Sequence, residues 1–161
     1  MYPKDKQINL SNLSILIADD QESLTSTLEK VINNIWGCAT KCVYSGDSVL
    51  TELKNGYMGR SYDVLITDMI MPGVSGLELI RKSLEIQPEL AILAMTAYKD
   101  DFSFLDVFKE GAHDILLKPF SKDELQAKLY RVLREIHFIQ SCRSAERRYC
   151  LLYTSPSPRD S

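Results

Sequence analysis

The sequence predicts an α/β fold, a doubly wound five-stranded parallel sheet with helices on both faces. Three observations lead there. Five short apolar runs alternate with five segments of helical periodicity. The runs are apolar nearly throughout instead of alternating with polar residues, as strands buried on both faces are. Several helical segments are bounded by capping boxes, glycine stops or a following proline. With 161 residues, 45% apolar and 25% charged, the chain has the size of one domain that can bury a sufficient core.

The first strand is Leu13 to Ala18 (LSILIA), which ends abruptly at two carboxylates, Asp19 and Asp20. Residues 22 to 36 place Leu24, Leu28, Val31, Ile32 and Ile35 at helical spacing, with Gly37 as the stop. Ala39 to Tyr44 is the second strand, and Asp47 to Lys54 a helix ending at Asn55 and Gly56. Tyr62 to Thr67 (YDVLIT) is the third strand, ending at Asp68. Ser75 with Glu78 three residues on forms a capping box that opens a helix through Leu84, and Pro88 marks its end. Leu90 to Met95 is the fourth strand, Asp101 to Glu110 a helix closed by Gly111, and Ile115 to Leu117 the fifth strand. A second capping box, Ser121 with Glu124, opens a long final helix.

Composition excludes several functions. A net charge of −3 leaves no large basic footprint, so neither nucleic acid nor an anionic membrane surface is an expected partner. The polar leader MYPKDKQINLSNL lacks the apolar stretch of a signal peptide, and no run approaches membrane-spanning length, so the expected compartment is the cytoplasm. Cys38, Cys42, Cys142 and Cys150 have neither paired CxxC spacing nor a histidine cluster, which argues against zinc. Cys38 and Cys42, four residues apart at ~3.3 Å each if both lie on one strand, are too distant to bridge. The cysteines are expected to act as small buried or half-buried apolar residues. His113 and His137, the only histidines, are expected to be structural or surface residues.

The chemistry lies at the strand ends. In doubly wound sheets, ligands bind at the carboxyl edge. There the sequence puts Asp19 and Asp20 after the first strand, Asp68 after the third, Thr96 after the fourth and Lys118 after the fifth. Three converging carboxylates repel one another unless a cation joins them, and that many hard oxygens suit Mg²⁺. A metal beside a carboxylate, a hydroxyl and an ammonium is what a phosphoryl group needs: a nucleophile, charge neutralisation and donors to its oxygens.

The motifs IADD, ITDMIMPGVSGLEL, AMTA and LLKPF, in that order and spacing, resemble the bacterial two-component receiver domain of the chemotaxis type, over residues 12 to 137. The resemblance implies the flavodoxin-like strand order 2-1-3-4-5. It makes Asp68 the phosphoacceptor, Asp20 a direct Mg²⁺ ligand, Asp19 a ligand through water, and the Ile70 carbonyl the remaining protein ligand beside Asp68 itself. Thr96 would bond the phosphoryl group, and Lys118 would pair first with Asp68 and then with the phosphate. Pro119 would follow a cis peptide bond. The implied donor is the phosphohistidine of a histidine kinase or histidine phosphotransfer protein. The implied role is regulatory: no enzyme beyond its own Mg²⁺-dependent phosphorylation and dephosphorylation.

Two departures bear on behaviour. The family's switch aromatic, three residues before the lysine, is Ile115 here, so readout should run through Thr96 and the final helices, helped by Tyr98. The positions two beyond Asp68 and two beyond Thr96 are Ile70 and Tyr98, bulky and unable to orient a water, which predicts a long-lived aspartyl phosphate. In the final helix, Leu125, Leu129, Val132, Ile136 and Ile139 follow heptad spacing. The first half should pack on the sheet. The extension over 138–149 reads as a signalling helix toward a downstream domain, and as a route to a dimer. SAERRY resembles the lead-in to a PAS domain of multi-domain sensor kinases. Residues 150–161 (CLLYTSPSPRD and a final serine) read as translated transposon adapter DNA and are expected to be a non-native tail, with 1–11 as a leader. The rivals are a degenerate receiver that only binds partners, an aspartate-nucleophile phosphatase, which would want an Asp where Ile70 stands, and a flavodoxin-like redox protein, which would want a phosphate loop after the first strand.

Overall fold

The computed structural model describes residues 10–97 and 102–153. Its elements run β1 (Ser14–Ala18), α1 (Glu22–Trp36), β2 (Ala39–Val43), α2 (Gly46–Asn55), β3 (Val64–Asp68), α3 (Gly76–Ile86), β4 (Ala91–Ala97), α4 (Phe104–Glu110), β5 (Asp114–Lys118) and α5 (Lys122–Tyr153). The strands form one parallel sheet in the order β2-β1-β3-β4-β5, as expected. The caps are those read from sequence. The hydroxyl of Ser75 accepts from the Glu78 N–H (3.4 Å), that of Ser121 from the Glu124 N–H (3.1 Å), and Gly37 ends α1 at φ 65°.

Side chains alternate across a strand, so each strand presents two faces. Ile15 and Ile17 of β1, Val64 and Ile66 of β3, Leu93 and Met95 of β4 and Leu116 of β5 share one face, covered by Leu28 and Ile32 of α1 and by Leu125, Leu129, Val132 and Leu133 of α5. Leu16, Leu65, Ile92, Ala94 and Ile115 share the other, covered by Val49 and Leu53 of α2, Leu79 and Ile80 of α3 and Val107 of α4. Both layers must be filled for the sheet to be dry. This explains why the strands read as continuous apolar runs.

Some boundaries differ from the sequence reading. Asp68 and Lys118 are the last residues of their strands and Thr96 the last but one of its strand, because pairing continues to Asp68↔Met95 and Ala97↔Lys118. Helix α4 begins at Phe104 after Ser103, and Asp101 and Tyr98 lie outside the described residues. Cys38 is buried and Cys42 half-buried, but Cys142 and Cys150 are exposed on α5, contrary to the expectation for them. Burial, followed by the nearby Asp63 and Glu29 carboxylates respectively, pushes the Cys38 and Cys42 thiols each up to about 11, so both stay protonated.

The apolar stripe of α5 is spent on the sheet as far as Val132, with Ile136 half-buried and Ile139 exposed. Beyond it, Phe138, Tyr149, Leu151 and Leu152 are exposed, and helix continues through Cys150–Tyr153. Arg143 of this extension pairs with Glu89 before β4. Among the described residues no helix is long and apolar enough to cross a membrane.

Gly76 opens α3 directly beneath the chain that leaves β3. A Cβ there would stand 2.5 Å from the Met69 carbonyl oxygen and 2.9 Å from its Cα, neither of which can swing aside. Gly76→Ala is therefore expected to destabilise by about 1–3 kcal/mol. Urea denaturation monitored by circular dichroism checks this; a midpoint equal to wild type would show that the Met69 backbone gives way freely.

Candidate functional site

The alternation that builds the core also builds the site. Continuing β1 by two from Ile17 reaches Asp19, β3 by two from Ile66 reaches Asp68, and β5 by two from Leu116 reaches Lys118. All three therefore emerge on the face covered by α1 and α5, at the carboxyl edge. Asp19 is fully buried and Asp68 only 8% exposed, while Asp20 is exposed. One carboxylate oxygen from each of the three acids can be chosen so that all lie within 4.8 Å of one another.

Each buried carboxylate is held at both oxygens. Asp19 Oδ1 accepts from the Gln21 N–H (2.9 Å), which turns the chain into α1, and its Oδ2 accepts from Lys118 Nζ (2.6 Å). Asp68 Oδ1 accepts from the Ile70 N–H (3.1 Å), and its Oδ2 from the same Lys118 Nζ (2.9 Å). The lysine thus bridges β1 and β3 from β5. The peptide bond from Lys118 to Pro119 is cis, as the family resemblance implied. Thr96 is buried at the end of β4, and its hydroxyl donates to the Ala97 carbonyl (3.4 Å).

The electrostatics follow from burial. Desolvation raises the Asp68 carboxyl above the ordinary 3.8, outweighing the hydrogen bonds from Lys118 and from the Ile70 N–H, and the nearby Asp19 adds to the rise. Burial alone would lower Lys118, but its bonds to Asp19 and Asp68 hold it above the ordinary 10.5, so it stays an ammonium. Three acids with one cation leave an excess of negative charge. Converging carboxylate oxygens are the donors a hard divalent cation takes, so the residues present fit such an ion.

The sequence reading paired Lys118 with Asp68 only; the contact with Asp19 and the support from the Gln21 N–H were missed. Ile70 is 53% exposed beside Asp68, with its N–H turned to that carboxylate. Ile115 is buried against the α2–α4 side of the sheet, and its carbonyl accepts from Lys128 of α5. The neighbouring Asp114 pairs with Arg131 and, at 3.7 Å, with Lys128. The His113 backbone and Nδ1 close a pair of bonds with Ile92, the structural part expected of it.

This fold with its acidic carboxyl edge has the make-up of a receiver-type regulatory module, and the comparisons identify the family. Residues 15–130 match the response regulator receiver domain, and the chain belongs to that family. The DNA-binding transcriptional regulator NtrC of Klebsiella pneumoniae is 33% identical over 129 residues, covering 80% of this chain and 26% of that protein. The transcriptional regulatory protein ZraR of Escherichia coli O157:H7 is 29% identical over 130 residues, covering 81% of this chain and 28% of its own length. This chain therefore spans about a quarter of these relatives. A response regulator receiver domain protein from Clostridium thermocellum superposes with a TM-score of 0.67 at 26% identity, over 79% of this chain and 98% of that one. The family is a regulatory domain of two-component systems.

Because the folded protein holds the Asp68 proton more tightly than the unfolded chain, stability falls as pH rises from the ordinary carboxylate value through the raised one. Asp68→Asn removes that dependence and raises the melting temperature in metal-free buffer at pH 7, by a few degrees if the gain is about 1 kcal/mol. Calorimetry from pH 4 to 8 checks both. A variant less stable than wild type at pH 7 would contradict the account of Asp68.

Proposed function

We propose that this chain is a phosphorylation-controlled receiver in which Asp68 accepts a phosphoryl group from the phosphohistidine of a histidine kinase or histidine phosphotransfer protein. The observation that carries the reading is the Asp68 carboxylate held at 2.9 Å by Lys118, among two further acids at the sheet's carboxyl edge. A carboxylate oxygen of Asp68 attacks phosphorus, the bond from phosphorus to the donor imidazole nitrogen breaks, and that nitrogen leaves with the electron pair. ATP is not consumed by this chain.

Asp20, Asp68 and the Ile70 carbonyl would hold Mg²⁺ directly and Asp19 through water. A bound Mg²⁺ supplies charge neutralisation for the carboxylates and the transferred oxygens. Lys118 donates to the phosphoryl group once Asp68 carries it as an acyl phosphate, and Thr96 exchanges the Ala97 carbonyl for a phosphoryl oxygen. The half-exposed Ile70 stands over the product without a group to orient water, which supports a long-lived phosphate. Tyr98, proposed alongside it, lies outside the described residues.

With Ile115 packed in the core, the change reaches α5 through β5, whose Asp114 and Ile115 are gripped by Arg131 and Lys128. Helix α5 then carries it, as the signalling extension 138–149, to a downstream output domain of PAS, kinase or other type, with pairing of two copies through that helix as part of the output. The receiver spans 12–137, with a leader over 1–11 and the tail over 150–161 foreign to it. The protein works in the cytoplasm, without nucleic acid or membrane as a partner of this segment.

Incubation with acetyl phosphate and Mg²⁺ is expected to add one phosphoryl group by intact mass, and none to Asp68→Asn or in excess chelator. Loss of the label after removal of acetyl phosphate, with Mg²⁺ kept present, should be slow, at the long-lived end for receivers. An unlabelled wild type would favour the degenerate receiver, and fast loss would refute the role given to Ile70.

A further inference from the structure

We propose that two copies of this chain pair parallel and in register along an outward stripe of α5 made by Phe138, Cys142, Ala145 and Tyr149. The inference rests on the reading that two copies meet through this helix. It goes beyond it by assigning the face, the direction and the register.

The helix carries two apolar stripes. Each residue turns an α-helix by about 100°, so Leu125, Leu129, Val132, Ile136 and Ile139 share one side. That side is spent on the domain itself. Its first three residues are buried against the sheet, Ile136 packs at the margin, and one turn beyond Ile139 the guanidinium of Arg143 is tied to Glu89 of the body. A second copy would reach this side only by pulling the helix off its own domain. Phe138, Cys142, Ala145 and Tyr149 follow one another at intervals of four, three and four, a heptad spacing. They lie within about 60° of one another and roughly 130° round the helix from the first stripe. All four are exposed, Phe138 to 59% and Tyr149 to 64%.

The second stripe begins where the domain ends. Upstream, the same face of α5 carries Arg131, Arg134 and Glu135, all exposed. It turns apolar at Phe138, two residues past Ile136, the last residue packed against the core. A helix whose one task was to cover the sheet would stay polar on that face. The flanks say what covers it: Glu146 stands about 80° to one side of the stripe and Arg148 about 80° to the other. Parallel copies bring opposite flanks together, so carboxylate and guanidinium lie on the same side of the seam, whereas antiparallel copies bring like flanks together. A surface complementary to itself in this way fits a second copy of the same chain. The seam is short, so the pairing is weak and is best read by trapping.

The test is disulfide trapping in the full chain. In Cys150→Ser, oxidation by copper phenanthroline in air is expected to link Cys142 to Cys142 of a second copy, because in-register pairing brings their Cα atoms within the ~7 Å a disulfide spans. The link should form about tenfold faster than in Cys142→Ser/Cys150→Ser/Arg147→Cys, whose thiol lies across the helix from the stripe, since pairing raises the local thiol concentration. With Cys142 and Cys150 both replaced by serine, Phe138→Cys and Tyr149→Cys should each link to its own kind, and a mixture of the two should give no link between 138 and 149. Equal rates at 142 and 147 overturn the assigned face, and an abundant link between 138 and 149 overturns the parallel register. Faster linking of Ile139→Cys than of position 142 would likewise sink the outward stripe while leaving pairing through α5 in place. If no position on α5 links faster than 147 and the chain sediments as a monomer, the pairing reading falls as well.

Discussion

Holding like charges together at one edge of a dry sheet is the constraint on which the rest of this molecule turns. Asp19 and Asp68 are buried because the strands that carry them are covered on the α1 and α5 side, and each sits two residues past the last core residue of that face. Such carboxylates are tolerable only with a cation and with hydrogen bonds at both oxygens. Lys118 supplies the first to both acids at once, and the Gln21 and Ile70 amides supply the rest. The excess negative charge that remains leaves an edge whose residues fit a hard divalent cation.

The same strand that delivers Lys118 also ties the site to the exit of the domain. Strand β5 is five residues long, with the lysine at one end and Asp114 at the other. Asp114 and the Ile115 carbonyl are held by Arg131 and Lys128, on the helix whose next turns leave the sheet. Lys118 is therefore joined to α5 through one short strand and the ion pairs at its far end. An apolar residue at 115, packed into the core, is compatible with a readout through backbone and helix instead of a swinging ring.

Local chemistry was legible in the sequence, and contacts between distant strands were not. Ser75 with Glu78, Ser121 with Glu124 and Gly37 announced helix ends because a cap is made by residues within a few positions of each other. The acids were legible because each follows an apolar run. The start of α4 was placed too early, since nothing in the polar lead to Phe104 distinguishes coil from helix. Periodicity showed that Leu125, Leu129 and Val132 share a face of α5 but could not say what covers it; the sheet does. The contact of Lys118 with Asp19 joins β5 to β1, with β3 and β4 between them, and depends on the twist of the whole sheet, which no local pattern encodes.

The most direct test of the account is to trap the modified side chain. After phosphorylation by a small phosphodonor, reduction with borohydride converts an aspartyl phosphate to homoserine, and peptide mass mapping then locates it. The account predicts homoserine at position 68 and at neither 19 nor 20. Homoserine at either of those positions, or none at 68 in a protein that has gained a phosphoryl group, would contradict it.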